Sequence, residues 1–330
     1  MIPAPRNHGN SAQGLGAGLV VTGIFIVPLV LGPFWQYLIA NILLLSLFSL
    51  SFNLLFGMTG YLSFGHAAFY ATGAYVTGML LLADFSLIVS VALGTAAAGV
   101  LAVILGFFCV RHTKVYFSLL TLALGMMIHA IVWKWTSVTG GDDGLVGIMR
   151  GSIKIPGVFE ISLNSLSHYY YFLAALCLLG IYILYRIVKS PFGLVLNGLR
   201  ENYGRVEFAG IPIRQYLQVT FFIAGLFAGL AGSLMAPLEK TVAPSVAHWT
   251  KSAEPVMASL IGGPFTFAGP IVGALAFIGL KELVVRFTDY WLMVFGIVLM
   301  VVVLGFRGGI VGFINDHLRE RRRLALREHP

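Results

Sequence analysis

The residues able to do chemistry are few and scattered. Eight histidines, two cysteines and thirteen acidic residues are spread over 330 positions. They form no HExxH pair and no nucleophile elbow, and nothing resembles an enzyme site with its supporting shell. No GxxxxGK[ST] phosphate loop occurs, so the chain lacks the usual means of holding ATP. Cys109 and Cys177 lie in or beside apolar runs without CxxC spacing and read as small packing residues. We therefore expect no catalytic residue, no metal and no cofactor on this chain.

Three segments carry the remaining signal. The first runs from Gly60 through Tyr61, Ser63, Gly65, His66 and Phe69 to Gly73 and Tyr75. Glycine costs about 1 kcal/mol in a helix interior, so this spacing predicts a broken or very closely packed helix. In lipid, irregular backbone is tolerated only against protein or a water-filled cavity. The segment therefore reads either as a pathway lining or as small-residue helix packing. His66 alone reads as a hydrogen-bonded packing residue ahead of a substrate ligand. The second segment, Ser190-Pro191 to Gly210-Ile211-Pro212, has an N-cap, a proline at N1, a C′ glycine and a proline stop. These predict a helix of about 17 residues. Val195, Leu199 and Val206 share its apolar face, and Glu201 and Arg205 are spaced to pair at i,i+4. Such a rod could lie on the bilayer surface or dock in a cytoplasmic ATPase. The third is Leu260-Ile261-Gly262-Gly263-Pro264-Phe265-Thr266-Phe267-Ala268-Gly269-Pro270, where two Gly-Pro breaks interrupt an apolar run and suggest a turn at membrane depth.

The elements that position these segments are set by composition. The chain is 58% hydrophobic and only 10% charged, against roughly 25% charged in soluble domains. Lipid must solvate much of it. The net charge of +8 does not indicate nucleic acid, because the charges avoid the apolar runs and collect in short segments. Runs of spanning length fall near 15–34, 37–57, 61–83, 86–110, 115–136, 167–188, 215–238 and 287–306. If 252–286 makes two further passes, fourteen Lys and Arg lie on one side and seven on the other, which makes the former side cytoplasmic with both termini. A re-entrant loop there is the alternative. The polar start, Met1 to Gln13, is not read as a signal peptide.

The expected fold is all-α: a polytopic transmembrane helical bundle of about ten membrane segments, including broken or re-entrant helices. We expect a cytoplasmic tail over 1–14, a membrane domain over 15–306 with a cytoplasmic segment at 189–214, and a basic cytoplasmic tail over 307–330. Intramembrane charge is nearly absent, with His66 and His129 mid-helix and Lys281 and Glu282 nearer an interface. Ion-coupled carriers usually keep such groups on their coupling path, so an ion-coupled secondary transporter or channel is the runner-up.

Six motifs in fixed order, GYLSFGHAAFYATGAY (60–75), VYFSLLTLALG (115–125), TGGDDGL (139–145), SPFGLVLNGLRENYGRVEFAGI (190–211), SLIGGPFTFAGPIVGA (259–274) and FRGGIVGF (306–313), resemble the M-type permease subunit of the high-affinity branched-chain amino acid ABC importers. The resemblance covers about residues 37–314. It implies an H-type paralogous permease subunit, two cytoplasmic ATPase subunits that bind ATP and Mg, and a periplasmic or lipid-anchored solute-binding protein, all at a bacterial inner membrane. It assigns Arg200, Glu201, Asn202 and Gly210 to a segment coupled to the ATPase, with Arg205 beside them. It places the pathway at 61–69, 118–125 and 260–266, hence at Tyr61, Ser63, Gly65, His66, Phe69, Ser118, Thr121, Gly262, Gly263, Pro264 and Phe265. The chain departs from the family where ENE is common (here Glu201-Asn202-Tyr203) and where GGLGSLWGP is common (here 262–270). The solute stays open among branched-chain amino acids, amides, urea and aromatic acids.

Overall fold

Helix dominates the computed structural model, which describes residues 22–26, 32–155, 159–287, 290, 293–294, 296–297, 300, 308–313 and 317, with 152–162 described by backbone alone. In chain order the elements are α1 (Pro33–Thr59), α2 (His66–Leu82), α3 (Leu87–Cys109), α4 (Lys114–Lys134), the single turn α5 (Thr136–Thr139), β1 (Leu145–Val146), β2 (Ser152–Ile155), β3 (Phe159–Ser162) and α6 (Leu166–Val188). They continue with α7 (Pro191–Glu201), α8 (Tyr203–Phe208), α9 (Ile213–Glu239), β4 (Thr241–Val242), α10 (Trp249–Gly262) and α11 (Gly269–Val285).

Five of these, α1, α3, α4, α6 and α9, are long and apolar enough to cross a membrane. Local sequence explains their ends. Pro33 occupies the first turn of α1, where no donor is lost, and Gly60 closes the helix at φ 78°. The Ser165 hydroxyl accepts from His168 N at the start of α6. The spans expected at 37–57, 86–110, 115–136, 167–188 and 215–238 are each present as one helix. The run at 61–83 is helical only from His66, because Tyr61–Phe64 are not helical. The first span, near 15–34, is described over 22–26, where the Ile24 carbonyl accepts from Tyr170 Oη on α6 at 2.9 Å. The expected span at 287–306 and both tails lie largely outside the described residues.

The core centres on α1 and α9, whose apolar windows are mostly buried, whereas α4 and α6 keep broad apolar faces outward. α9 packs along α2 and α3, and α1 touches α6, α7, α9, α10 and α11. With lipid outside, helices gain little by burying apolar surface against each other, and close packing of small residues replaces that drive. The α10–α11 pair shows this at Gly273: a Cβ there would overlap the Ala258 carbonyl on α10.

α10 has 14 residues, about 21 Å, less than the roughly 30 Å hydrocarbon layer. It stops at Gly262, Gly263 takes φ 108°, and α11 leads away from Gly269. The stretch 252–286 is thus a helical hairpin with an irregular tip at 263–268. Two short antiparallel ribbons were not foreseen: β2 pairs with β3, and β1 with β4 in the register Leu145↔Val242. The β1–β4 ribbon ties the 137–166 connection to the end of α9.

Candidate translocation and coupling site

The expected rod at 191–208 is two helices. Asn202 adopts φ −156°, ψ 96°, ends α7 and caps α8, its side-chain oxygen accepting from Arg205 N at 3.0 Å. An Asn that can serve its own downstream backbone competes with helix continuation, which is why the capping pattern alone overestimated the length. The break removes the i,i+4 geometry, and no Glu201–Arg205 ion pair forms among the described residues. The boundaries were read correctly: Pro191 opens α7, and Gly210 takes φ 76° after α8. The Ser190 hydroxyl, however, donates back to the Ile187 carbonyl at 2.7 Å and caps nothing.

Leu196 and Leu199 anchor α7 in the core. Glu201, Asn202, Tyr203, Arg205 and Gly210 are exposed, whereas Arg200 is only half-exposed. Its guanidinium donates to the Gly57 carbonyl near the end of α1 at 2.6 Å and lies 4.9 Å from the centre of the Phe265 ring at the hairpin tip. Asn53 Nδ2, one turn earlier on α1, donates to the Pro264 carbonyl at 3.0 Å. Gly308 and Gly309 press on Gly263 from the other side, close enough that a Cβ on Gly263 would overlap the Gly308 carbonyl. Arg200 therefore faces the bundle and joins α7 to α1 and to the broken segment, while Glu201 and Arg205 face outward.

The other expected pathway residues form a second group. Gly65 sits where the irregular 60–65 stretch crosses α4, and a Cβ on it would overlap the Thr121 carbonyl. Thr121 Oγ1 accepts from Phe64 N at 3.2 Å, and Tyr61 meets Phe117 edge-on at 5.1 Å. His66 is fully buried, with Nε2 3.0 Å from Ser51 Oγ and rings of Phe48, Phe52 and Phe69 around it. Its Nδ1 and the Ser63 hydroxyl have no hydrogen-bond partner among the described residues. Tyr61, Ser63, His66, Phe69 and Thr121 are buried among this chain's own helices, as are Gly262, Gly263 and Pro264. Ser118 is half-buried and bonds within α4 to Lys114 O. Phe265 is exposed. The structure thus brings 61–69 to 117–125 and 262–265 to 53–57 and Arg200.

Sequence reasoning missed a charged cleft at the opposite end of α1. Glu239, Lys251, Glu254, Lys281 and Glu282 line it with Tyr37 and Tyr70. The charged residues lie near the ends of three different helices, and Tyr37 and Tyr70 sit on two more, so spacing gave no sign of their proximity; the i,i+3 pair Lys251–Glu254 was the local clue.

A model of the branched-chain amino acid transport system permease component matches residues 35–303, the stretch that holds both groups. The chain belongs to this permease family. As such it is a multi-pass membrane permease component of the ABC-importer type. It is 25% identical over 327 residues to the high-affinity branched-chain amino acid transport system permease protein LivM of Escherichia coli (strain K12), covering 90% of this chain and 76% of that protein. It is 24% identical to LivM of Salmonella typhimurium, over 82% of this chain and 68% of that one. It is also 23% identical to LivH of Salmonella typhimurium, over 81% of this chain and 91% of that protein. No solved structure matches.

Proposed function

We propose that the chain is the M-type half of a two-subunit pathway for a branched-chain amino acid or a related small solute, paired with an H-type paralogue in a bacterial inner membrane. Two cytoplasmic ATPases bind ATP and Mg and supply the energy, and a solute-binding protein delivers cargo. The chain itself catalyses no covalent chemistry, and both termini are cytoplasmic. α7 and α8 are the coupling element, with Glu201, Asn202, Arg205 and Gly210 toward the ATPase. Motion there reaches the 262–265 break through Arg200, and the pathway opens and closes alternately around 61–69, 118–125 and 260–266.

The Arg200 bridge carries this reading. One guanidinium spans three elements that would otherwise move separately, and a charged donor to a carbonyl contributes roughly 1.5–3 kcal/mol, with the aromatic face adding roughly 0.5–1 kcal/mol. The test is reconstitution in proteoliposomes with and without the ATPases. Leucine uptake that needs ATP and is blocked by vanadate is expected. Uptake by this chain and its paralogue with no ATPase present would overturn the reading.

A further inference from the structure

The charged cleft lies outside the group just described, at the far end of α1 from α7. It encloses about 240 Å³ between the N-terminal halves of α1 and α10 and the C-terminal ends of α9 and α11. Drug-sized ligands occupy sites of about 300–1,000 Å³, so this one suits a small solute. Its rim carries both signs. Lys251 Nζ is 2.7 Å from Glu254 Oε2 and lies 5.2 Å from the centre of the Tyr70 ring. Glu239 Oε1 accepts from the neutral Tyr37 hydroxyl at 2.6 Å. With Lys281 and Glu282 the lining holds two ammonium groups and three carboxylates, and Glu282 Oε1 is also 3.5 Å from the Arg286 guanidinium. Below the rim the lining turns apolar: Leu44, Leu45, Phe48 and Phe277 are all buried.

We propose that this cleft is a solute subsite within a single permease subunit, shaped for a zwitterionic α-amino acid with an aliphatic side chain. The ammonium group lies at Glu239 and Tyr37, because the Glu239 carboxylate takes part in no ion pair among the described residues. The carboxylate lies at Lys251, whose half-buried charge gains more from an anion than an exposed one would. The side chain fills the space over Leu45 and Phe48. Phe48 stacks on His66 at 5.4 Å, so the floor of the subsite adjoins the 60–66 segment. The proposal rests on the importer reading only for the solute's identity.

The test uses the assembled transporter in nanodiscs without its binding protein, carrying Asn41→Cys on the cleft wall. Both natural cysteines are buried, and maleimide labelling is read on this chain by intact mass. L-Leucine should slow labelling saturably, by fivefold or more. 4-Methylpentanoate and 3-methylbutylamine, which keep the skeleton and one charge each, should not. Glu239→Gln should raise the protection midpoint at least tenfold. Labelling indifferent to saturating leucine, equal protection by either analogue, or a midpoint unmoved by Glu239→Gln would each overturn the subsite. If Glu239→Gln fails to assemble, the analogues decide. ATP-driven uptake is measured on the same variant reconstituted in proteoliposomes with its binding protein: uptake without protection sinks the subsite alone, and protection without ATP-driven uptake sinks the importer reading alone.

Discussion

The two ends of α1 are held by opposite kinds of chemistry. Near Thr59, side chains of other elements reach backbone carbonyls: Arg200 takes Gly57 O, and Asn53 returns the favour to Pro264 O. Near Pro33, side chain meets side chain, with Tyr37 on Glu239 and Ser167 on Gln36, and the Lys251–Glu254 pair of α10 lines the same cleft. A carbonyl offers the same acceptor whatever residue carries it, so the first kind of contact responds to position alone. Carboxylates and ammonium groups respond to the charge of whatever enters. One end of the same helix is thus suited to report mechanical displacement and the other to sense a solute. Between them α1 is a continuous 27-residue helix whose central residues are buried.

The comparison breaks most completely if the packing between the two ends is destroyed. Gly65→Leu drives a side chain into the Thr121 carbonyl of α4. Backbone cannot step aside as a flexible side chain would, so the cost exceeds the usual 1–3 kcal/mol of overpacking. We expect no assembled complex on size exclusion and no measurable uptake. Normal uptake in this variant would show that 60–65 does not cross α4 as described. Next is Arg200→Met, which should cut solute moved per ATP hydrolysed at least tenfold while the ATPases keep turning over. Arg200→Lys should not restore it, because a point charge on a flexible stem does not span the carbonyl and the Phe265 ring as the planar guanidinium does. Unchanged coupling in both variants would remove the bridge from the mechanism. The double change Glu201→Ala and Arg205→Ala leaves Arg200 in place. It should lower ATP hydrolysis stimulated by the loaded binding protein several-fold, through the outward face alone. Equal stimulation in wild type and double variant would mean that this face touches no motor.

Much of this architecture was legible because lipid imposes a length rule. Spans could be counted from apolar runs, and α1, α3, α4, α6 and α9 lie where they were expected. Gly-Pro breaks at 262–270 announced the hairpin tip, since backbone cannot be irregular at depth without protein around it. What sequence did not give was direction. Arg200 and Glu201 are adjacent, and only the packing of Leu196 and Leu199 turns one toward Gly57 and leaves the other outside. The cleft was hidden for a similar reason. Glu239, Lys251 and Lys281 each look like an ordinary charge at a helix end near water. Their convergence is a property of how α9, α10 and α11 meet α1.

The smallest expected effect sharpens the comparison at its coupling end. α8 is only six residues long and has no buried residue, so beyond the packing of half-buried Val206 against the core it is held by local hydrogen bonds. Its start depends on the Asn202 side chain accepting from Arg205 N. Asn202→Ala removes that acceptor at a cost of about 1 kcal/mol, enough to fray α8 but not to unseat α7, which Leu196 and Leu199 keep in the core. Stimulated ATP hydrolysis should fall two- to fivefold, and Asn202→Asp, which keeps the cap, should restore most of it. Hydrogen exchange should rise at 203–208 in the alanine variant and not at 191–201. Faster exchange across both helices would mean that they form one unit after all, and that Arg200 and Glu201 move together rather than serving two different neighbours.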